Sequence, residues 1–381
     1  MRSPDARLTA AVNSAVGAAT LPQVFINGRF LSQRITGVQR FARETLRCID
    51  DLLAEGAGRA ARWTVLVPPG TEAPTYRHLR VETVGRLRGH GWEQLELAWR
   101  TRGHLLFSFG LTGPLLKRRQ VITVHDASVV RVPQAFRFSF RLWYRLLVGS
   151  IARRAPLTMA VSQFSAAEAE SCFGAPRERL RVGTEGWQHL ARIDSDASVI
   201  DRHGLRGVPF ALAVSSPTPN KNFAAIAQAL QMMGDEAPRC VVVGAADSAV
   251  FRDAPLLDER IVRVGYVSDE QLKALYEHAN CFVFPSFYEG FGIPALEAMA
   301  CGCPVIASTA PALREVCAGA ALYFDPAQPA ELAQCLRTVF ADPQLRARMS
   351  RSGHVRAQVH SWRRAAAQNL AAIGELLRTG K

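Results

Sequence analysis

Two doubly wound α/β domains are the fold this chain predicts, and three observations carry that expectation. At 381 residues the chain is longer than one hydrophobic core usually organises, so two domains of ordinary size are expected. Short Val/Ile/Ala-rich runs alternate with helix-patterned stretches, which is the signature of a mostly parallel sheet covered by helices. A polar stretch, Asp194-Ser-Asp-Ala-Ser198, interrupts the alternation once, and a second strand series starts after it.

The first strand is Val24-Phe-Ile-Asn27, followed by a glycine-containing loop and an amphipathic helix that starts near Gly37-Val-Gln-Arg40. Further strands are expected at Trp63 to Val67, Leu105 to Phe109, Val121 to Val124 and Thr158 to Val161. The second series begins at Phe210-Ala-Leu-Ala-Val214 and continues through Cys240 to Val243, Ile261 to Val264, Cys281 to Phe284 and Pro304 to Ala307. The expected organisation is a mobile extension over residues 1–20, a first domain over 21–200 and a second over 205–381. The last helix, around Trp362 to Leu377, can pack on either domain.

Composition narrows the class. An apolar fraction of 48% is that of a globular protein. The formal charge of +13 is uneven: residues 77–154 hold 15 Lys/Arg against Glu82, Glu93, Glu96 and Asp126, a local excess of +11. A basic face confined to one domain suits an anionic surface or a lipid phosphate. No interleaved pattern of stacking aromatics points to nucleic acid. Within the same region Arg131, Arg137, Arg141 and Arg145 alternate with Phe136, Phe138, Phe140, Trp143 and Tyr144. Two readings stand: a basic aromatic helix on the inner membrane surface, or a core helix with snorkelling arginines. The eight cysteines form no CxxC pair and read as buried thiols of a reducing compartment. No signal-peptide core and no membrane-length apolar run is present, so the expected location is cytoplasmic.

The most informative segment is Phe284-Pro-Ser-Phe-Tyr-Glu-Gly-Phe-Gly-Ile-Pro-Ala-Leu-Glu-Ala-Met-Ala-Cys-Gly-Cys-Pro304, which reads strand, glycine loop, helix, strand. Gly290 and Gly292 let backbone approach a ligand closely, Pro294 fits the first helical turn, and Gly302 ends the helix. Free amides at such a helix start favour an anion. Glu289 lies in the loop and Glu297 on the helix, eight positions apart; an isolated pair would read as solvated carboxylates.

This segment resembles the E-x7-E signature of the large retaining, group 1 glycosyltransferase family. Its fold, GT-B, consists of two Rossmann-like domains facing a central cleft. The resemblance continues through Ser308, Glu315-Val316 and Ala321-Leu-Tyr-Phe-Asp-Pro326 and spans most of residues 24–340. It implies that Glu289 contacts donor-sugar hydroxyls and Glu297 the ribose, with the amides of Phe291, Gly292 and Ile293 along the sugar and diphosphate. Ser215-Ser-Pro-Thr-Pro-Asn-Lys-Asn222 is similar to the family's Arg…Lys-Asn phosphate clamp, which makes Lys221 and Asn222 donor ligands. Ser215 and Ser216 stand where the clamp arginine is expected, so that charge must come from elsewhere or from backbone. His125-Asp126 closes a first-domain strand; the resemblance places His125 beside the donor sugar, and a histidine satisfied by loop amides is the structural alternative. Gly37 is implied to turn its amide toward the diphosphate, Arg40 and Asp126 to face the acceptor, and backbone near Val267 to meet the base.

Two patterns are set aside. Asp194-Ser-Asp196 has metal-binding spacing but sits in a polar linker. The Gly28…Gly37 interval is too long for a dinucleotide fingerprint. The expected reaction is therefore metal-independent retaining transfer, with His125, Glu289 and Lys221 carrying the chemistry and no cofactor. The whole pattern, with Asn27-Gly-Arg-Phe30 and Trp92-Glu-Gln94, looks like bacterial polysaccharide mannosyl- and rhamnosyltransferases. It implies GDP-mannose as donor and a lipid-linked saccharide as acceptor, with TDP- or UDP-sugars (rhamnosyl or glucosyl transfer) as alternatives. A nucleotide-sugar epimerase or a phosphorylase on the same fold is the rival enzyme, and an anionic-membrane or nucleic-acid binder the rival without catalysis.

Overall fold

The computed structural model describes residues 21–215, 218–244 and 259–379. The N-terminal segment 1–20 and Ser216 of the clamp-like loop lie outside the described residues. Among those described, two all-parallel sheets form. The first has seven strands: β1 (Gln23–Asn27), β2 (Arg62–Val67), β3 (Arg80–Thr83), β4 (Leu105–Ser108), β5 (Gln120–Val124), β6 (Leu157–Ala160) and β7 (Leu180–Val182), in the order β3-β2-β1-β4-β5-β6-β7. The second has six: β8 (Phe210–Ser215), β9 (Arg239–Gly244), β10 (Ile261–Gly265), β11 (Cys281–Phe284), β12 (Val305–Ser308) and β13 (Ala321–Phe324), in the order β10-β9-β8-β11-β12-β13.

The central strands of both sheets, β4 and β5 in the first and β11 and β12 in the second, are buried on both faces. That explains why they read as continuous apolar runs rather than alternating ones. The strands that the sequence pattern did not announce, β3, β7 and β13, lie at sheet edges. They are three or four residues long, and β3 and β7 carry arginine, so their apolar signal is weak.

Each sheet reverses its strand order once, between β1 and β4 in the first and between β8 and β11 in the second. Ligands of doubly wound sheets bind at the carboxyl ends of the strands beside such a reversal. The helices that shape this region are α1 (Gly37–Ala54), α2 (Phe138–Arg154), α3 (Gln163–Phe173), α4 (Asp269–His278), α5 (Ile293–Ala300) and the last helix, α6 (Trp362–Thr379).

Helix α6 packs on α1 and β6 of the first sheet; its Gln368 accepts from the Thr184 amide and its Arg363 pairs with Glu55. Of the two packings open to this helix, the structure shows the one on the first layer, where its apolar stripe, with Ala365, Ala366, Leu370 and Ile373, is buried. The eight cysteines are free thiols, and burial pushes Cys48 up to about 11 and Cys317 up to about 12. No helix among the described residues is long and apolar enough to cross a membrane.

Candidate functional site

The loop between β11 and α5 is built by its glycines. Gly292 caps α5 with φ 111°, a left-handed conformation that L side chains rarely adopt, and a Cβ there would also stand 2.6 Å from Leu313 Cδ2. Pro294 occupies the first turn. The amides of Phe291, Gly292 and Ile293 find no acceptor among the described residues, so α5 presents open donors.

Across the cleft α1 starts at Gly37, and a Cβ on Gly37 would lie 3.9 Å from Ile293 Cδ1. The starts of two helices, one from each half, thus lie close together; that of α1 carries a Thr36–Gln39 capping box, while the open amides of α5 suit a diphosphate. Gly290 seals the contact: a Cβ there would fall 1.8 Å from the His125 carbonyl oxygen. The Gly290 carbonyl accepts from the Ser162 hydroxyl at 2.6 Å, and the Ser165 hydroxyl lies 2.8 Å from it and 2.5 Å from the His125 carbonyl.

Lys221 and Glu289 form an ion pair with Nζ and Oε1 2.6 Å apart, both side chains mostly buried. Asn222 follows Lys221 in the clamp-like loop. It sits in the left-handed region at φ 53° and donates to the Pro285 and Pro326 carbonyls, so it ties the clamp-like loop to the glycine loop.

Glu297 is buried, with Oε1 taking a hydrogen bond from His189 Nε2 at 2.9 Å and Oε2 one from the Tyr276 hydroxyl at 3.1 Å. Burial by itself would raise this carboxyl; the His189 bond, then Arg40 and the Tyr276 bond, hold it below the usual carboxylate range. His125 is buried as well, its ring edge-on to Phe41 with centroids 4.9 Å apart. Its Nε2 lies 2.8 Å from the Phe109 carbonyl and its Nδ1 3.4 Å from Glu185 Oε1. Both ring nitrogens thus face oxygen atoms of the protein. Burial pushes the Glu185 carboxyl up against the opposing pull of His125.

The two acceptor candidates are engaged elsewhere. Arg40 makes a two-pronged pair with Asp269 at 2.8 and 2.6 Å, clasping α1 to the start of α4. Asp126 accepts from the amide and hydroxyl of Ser128 in a local turn. Asp196 caps the turn at Ser198 and takes a hydrogen bond from Gln271. Val267 is half-buried against a core cluster drawn from both sheets, while the neighbouring Tyr266 is exposed with the Arg34 guanidinium 4.1 Å above its ring.

Four site-lining residues have no counterpart in the sequence reading: Glu185, His189, Tyr276 and Tyr288. The Tyr288 hydroxyl accepts from the Ala127 amide and donates to Glu168, each at 2.9 Å, bridging the halves. Glu185 and His189 lie in the segment after β7, a strand that the sequence pattern did not announce, so no signal marked them. Tyr276 sits on α4 with no local signal beyond an apolar helix position.

Comparison with known proteins agrees with this geometry. The family described as "Glycosyl transferases group 1" matches residues 200–356. The chain is also 30% identical over 264 residues to O-antigen chain mannosyltransferase B of Escherichia coli, covering 66% of this chain and 69% of that one. This chain belongs to the group 1 glycosyltransferases. The glycosyltransferase is further similar to O-antigen chain mannosyltransferase RfbU of Salmonella typhimurium, at 29% identity over 219 residues, 56% of this chain and 59% of RfbU. Among solved structures, sucrose-phosphate synthase of Thermosynechococcus elongatus superposes with a TM-score of 0.71 at 21% identity, covering 94% of this chain and 99% of its own. That likeness extends the GT-B fold over both halves of the glycosyltransferase.

Proposed function

We propose that this glycosyltransferase moves mannose, with retention, from GDP-mannose to a lipid-linked saccharide during polysaccharide assembly. The observation that carries the reading is the Lys221–Glu289 pair beside the open N-terminus of α5, with the start of α1 against it, at the reversal points of both sheets. The mannose assignment draws on the relatives named as O-antigen mannosyltransferases. In the transfer, the acceptor oxygen bonds to the anomeric carbon as the bond from that carbon to the diphosphate oxygen breaks. The acceptor's proton passes to the departing diphosphate on the same face. Lys221 and the α5 amides meet the charge that grows on the leaving group, and they are already oriented before it appears. Glu289 accepts from sugar hydroxyls, Glu297 from the ribose, and backbone near Val267 reads the base.

The base is tested by thermal unfolding in a panel of nucleoside diphosphates. A ligand at about 100 times its dissociation constant stabilises by roughly 2.7 kcal/mol. GDP is expected to give the largest shift; a clear preference for UDP or TDP would remove the mannose assignment and leave glycosyl transfer standing.

The leaving-group charge is assigned to Lys221 and amide donors, so transfer proceeds without a divalent ion. Turnover is expected to persist in excess EDTA. Loss of activity restored by manganese or magnesium would overturn that assignment.

The reading extends to a peripheral position at an anionic membrane. Helix α2 exposes Phe138, Leu142, Trp143 and Leu146 beside Arg145, an apolar strip with a basic margin. The strip is narrower than the alternating sequence suggests: Phe136 and Tyr144 are half-buried in a stacked column with the exposed Phe140, and Arg131 is paired with Glu168 at 2.7 Å. Flotation with phosphatidylglycerol vesicles is expected and should weaken with salt; equal flotation with phosphatidylcholine vesicles would refute a charge-driven contact.

A further inference from the structure

A chain of buried hydrogen bonds runs from the last helix to Glu297. The Trp362 indole Nε1 donates to His189 Nδ1 at 3.2 Å, His189 Nε2 donates to Glu297 Oε1 at 2.9 Å, and the Tyr276 hydroxyl donates to Glu297 Oε2 at 3.1 Å. Trp362, His189, Glu297 and Tyr276 are all nearly inaccessible. An indole nitrogen can only donate. His189 Nδ1 must therefore accept, which leaves the ring hydrogen on Nε2, pointing at the carboxylate. The tautomer is set by Trp362, with no alternative arrangement that satisfies both neighbours.

The position of this chain in the fold gives it consequence. His189 belongs to the segment that leaves β7 and crosses between the layers, and Gln188 beside it accepts from the Trp362 amide and donates to the His360 carbonyl. Trp362 opens α6, which packs on the first sheet, with its ring edge toward Phe41 at 6.2 Å between centroids. Glu297 rides on α5 of the second sheet. One side chain, His189, thus connects the carboxylate of one half to the frame of the other.

We propose that His189 is a positioning residue for nucleotide recognition: held by Trp362 in the Nε2–H form, it fixes the Glu297 carboxylate in the rotamer that meets the donor's ribose. The proposal rests on reading Glu297 as a ribose ligand. A carboxylate oxygen has two acceptor positions, so the bonds from His189 and Tyr276 orient the group and leave acceptor capacity for ribose hydroxyls.

Calorimetric binding of GDP, or of UDP if GDP does not bind, to wild type, Glu297→Gln, His189→Ala, His189→Gln and Trp362→Phe tests this, with the nucleotide-free melting temperature of each variant as the control for packing. Loss of a hydrogen bond to a charged group corresponds to roughly a tenfold or greater change in affinity. His189→Ala and Glu297→Gln are each expected to weaken binding by about that factor, and the double variant no more than the worse single. Glutamine at 189 carries an amide donor group and a carbonyl acceptor that can stand in for the Nε2–H and Nδ1 of the neutral imidazole, so His189→Gln is expected to recover most of the affinity. Trp362→Phe, which deletes the hydrogen that sets the tautomer, is expected to weaken binding less than His189→Ala. Wild-type affinity in His189→Ala, with Glu297→Gln weakened, would overturn the proposal and leave Glu297 as a ligand. Wild-type affinity in Glu297→Gln would remove the ribose reading and the proposal together. If His189→Gln melts as wild type yet binds no better than His189→Ala, His189 is a space-filler and the hydrogen-bonded role is wrong.

Discussion

Gly290→Ala is expected to abolish turnover while both sheets remain folded. Gly290 is not in the left-handed backbone region, so conformational freedom is not what requires glycine there. Space is. The added Cβ would stand 1.8 Å from the His125 carbonyl oxygen, 2.8 Å from its carbon and 3.1 Å from Asp126 Cβ. Two of these are backbone atoms, which have no rotamer to escape into. The halves must then part at this point, with loss of the Ser162 and Ser165 contacts to the Gly290 carbonyl. A displacement of about 1 Å between reacting groups costs on the order of 100-fold in rate, and the gap needed here is larger. Steady-state kinetics on the purified variant, with circular dichroism to establish folding, check the result. A kcat within a few-fold of wild type would show that the Gly290–His125 contact plays no part in transfer.

Glu289→Ala is expected to lower kcat by roughly 100- to 1000-fold, the range seen when one oriented polar group is removed from a transition state. The ion pair sharpens the expectation. Without Glu289, Lys221 keeps its charge in a half-buried place with no carboxylate 2.6 Å away. Its attraction for a diphosphate then rises. Turnover should collapse while the affinity for nucleoside diphosphate holds or improves, a split that a general loss of folding cannot produce. Lys221→Ala should lose both, and the double variant should be no slower than the worse single, since the two side chains act as one unit. Equal weakening of nucleotide binding by both single variants would reassign Glu289 from sugar to phosphate recognition.

Much of the fold was legible because its causes are local. Buried parallel strands must be apolar throughout, so β1, β4, β5, β8 and β11 declare themselves over four to six residues. The β11–α5 loop is legible for the same reason: Gly292 at φ 111° and Pro294 in the first turn are demands of backbone geometry that few other residues meet. What stayed hidden depends on partners distant in sequence. The pairing of Arg40 with Asp269 spans 229 positions, and nothing beside Arg40 announces it. Glu297 on its own reads as a solvated helix-start carboxylate; only the arrival of His189 and Tyr276 makes it a buried, oriented one. Asn222 has the residue type of a ligand and the geometry of a brace. The residue type was visible, and the direction of its amide was not.

The return of α6 to the first layer has a mechanical consequence. The chain passes between the two sheets twice, once after β7 and once before Trp362, and the two crossings are laced together: the Trp187 indole donates to the Ala357 carbonyl, and Gln188 reaches both His360 and Trp362. A body hung from a single flexible point can turn about three axes. Hung from two, it turns freely only about the line that joins them. The second suspension therefore removes twisting and sidewise slip of one sheet over the other as soft motions, and leaves a single opening and shutting, as of a door on two pins. A cut near residue 360 would restore the lost freedoms, and it would also release Trp362 from its place beside His189.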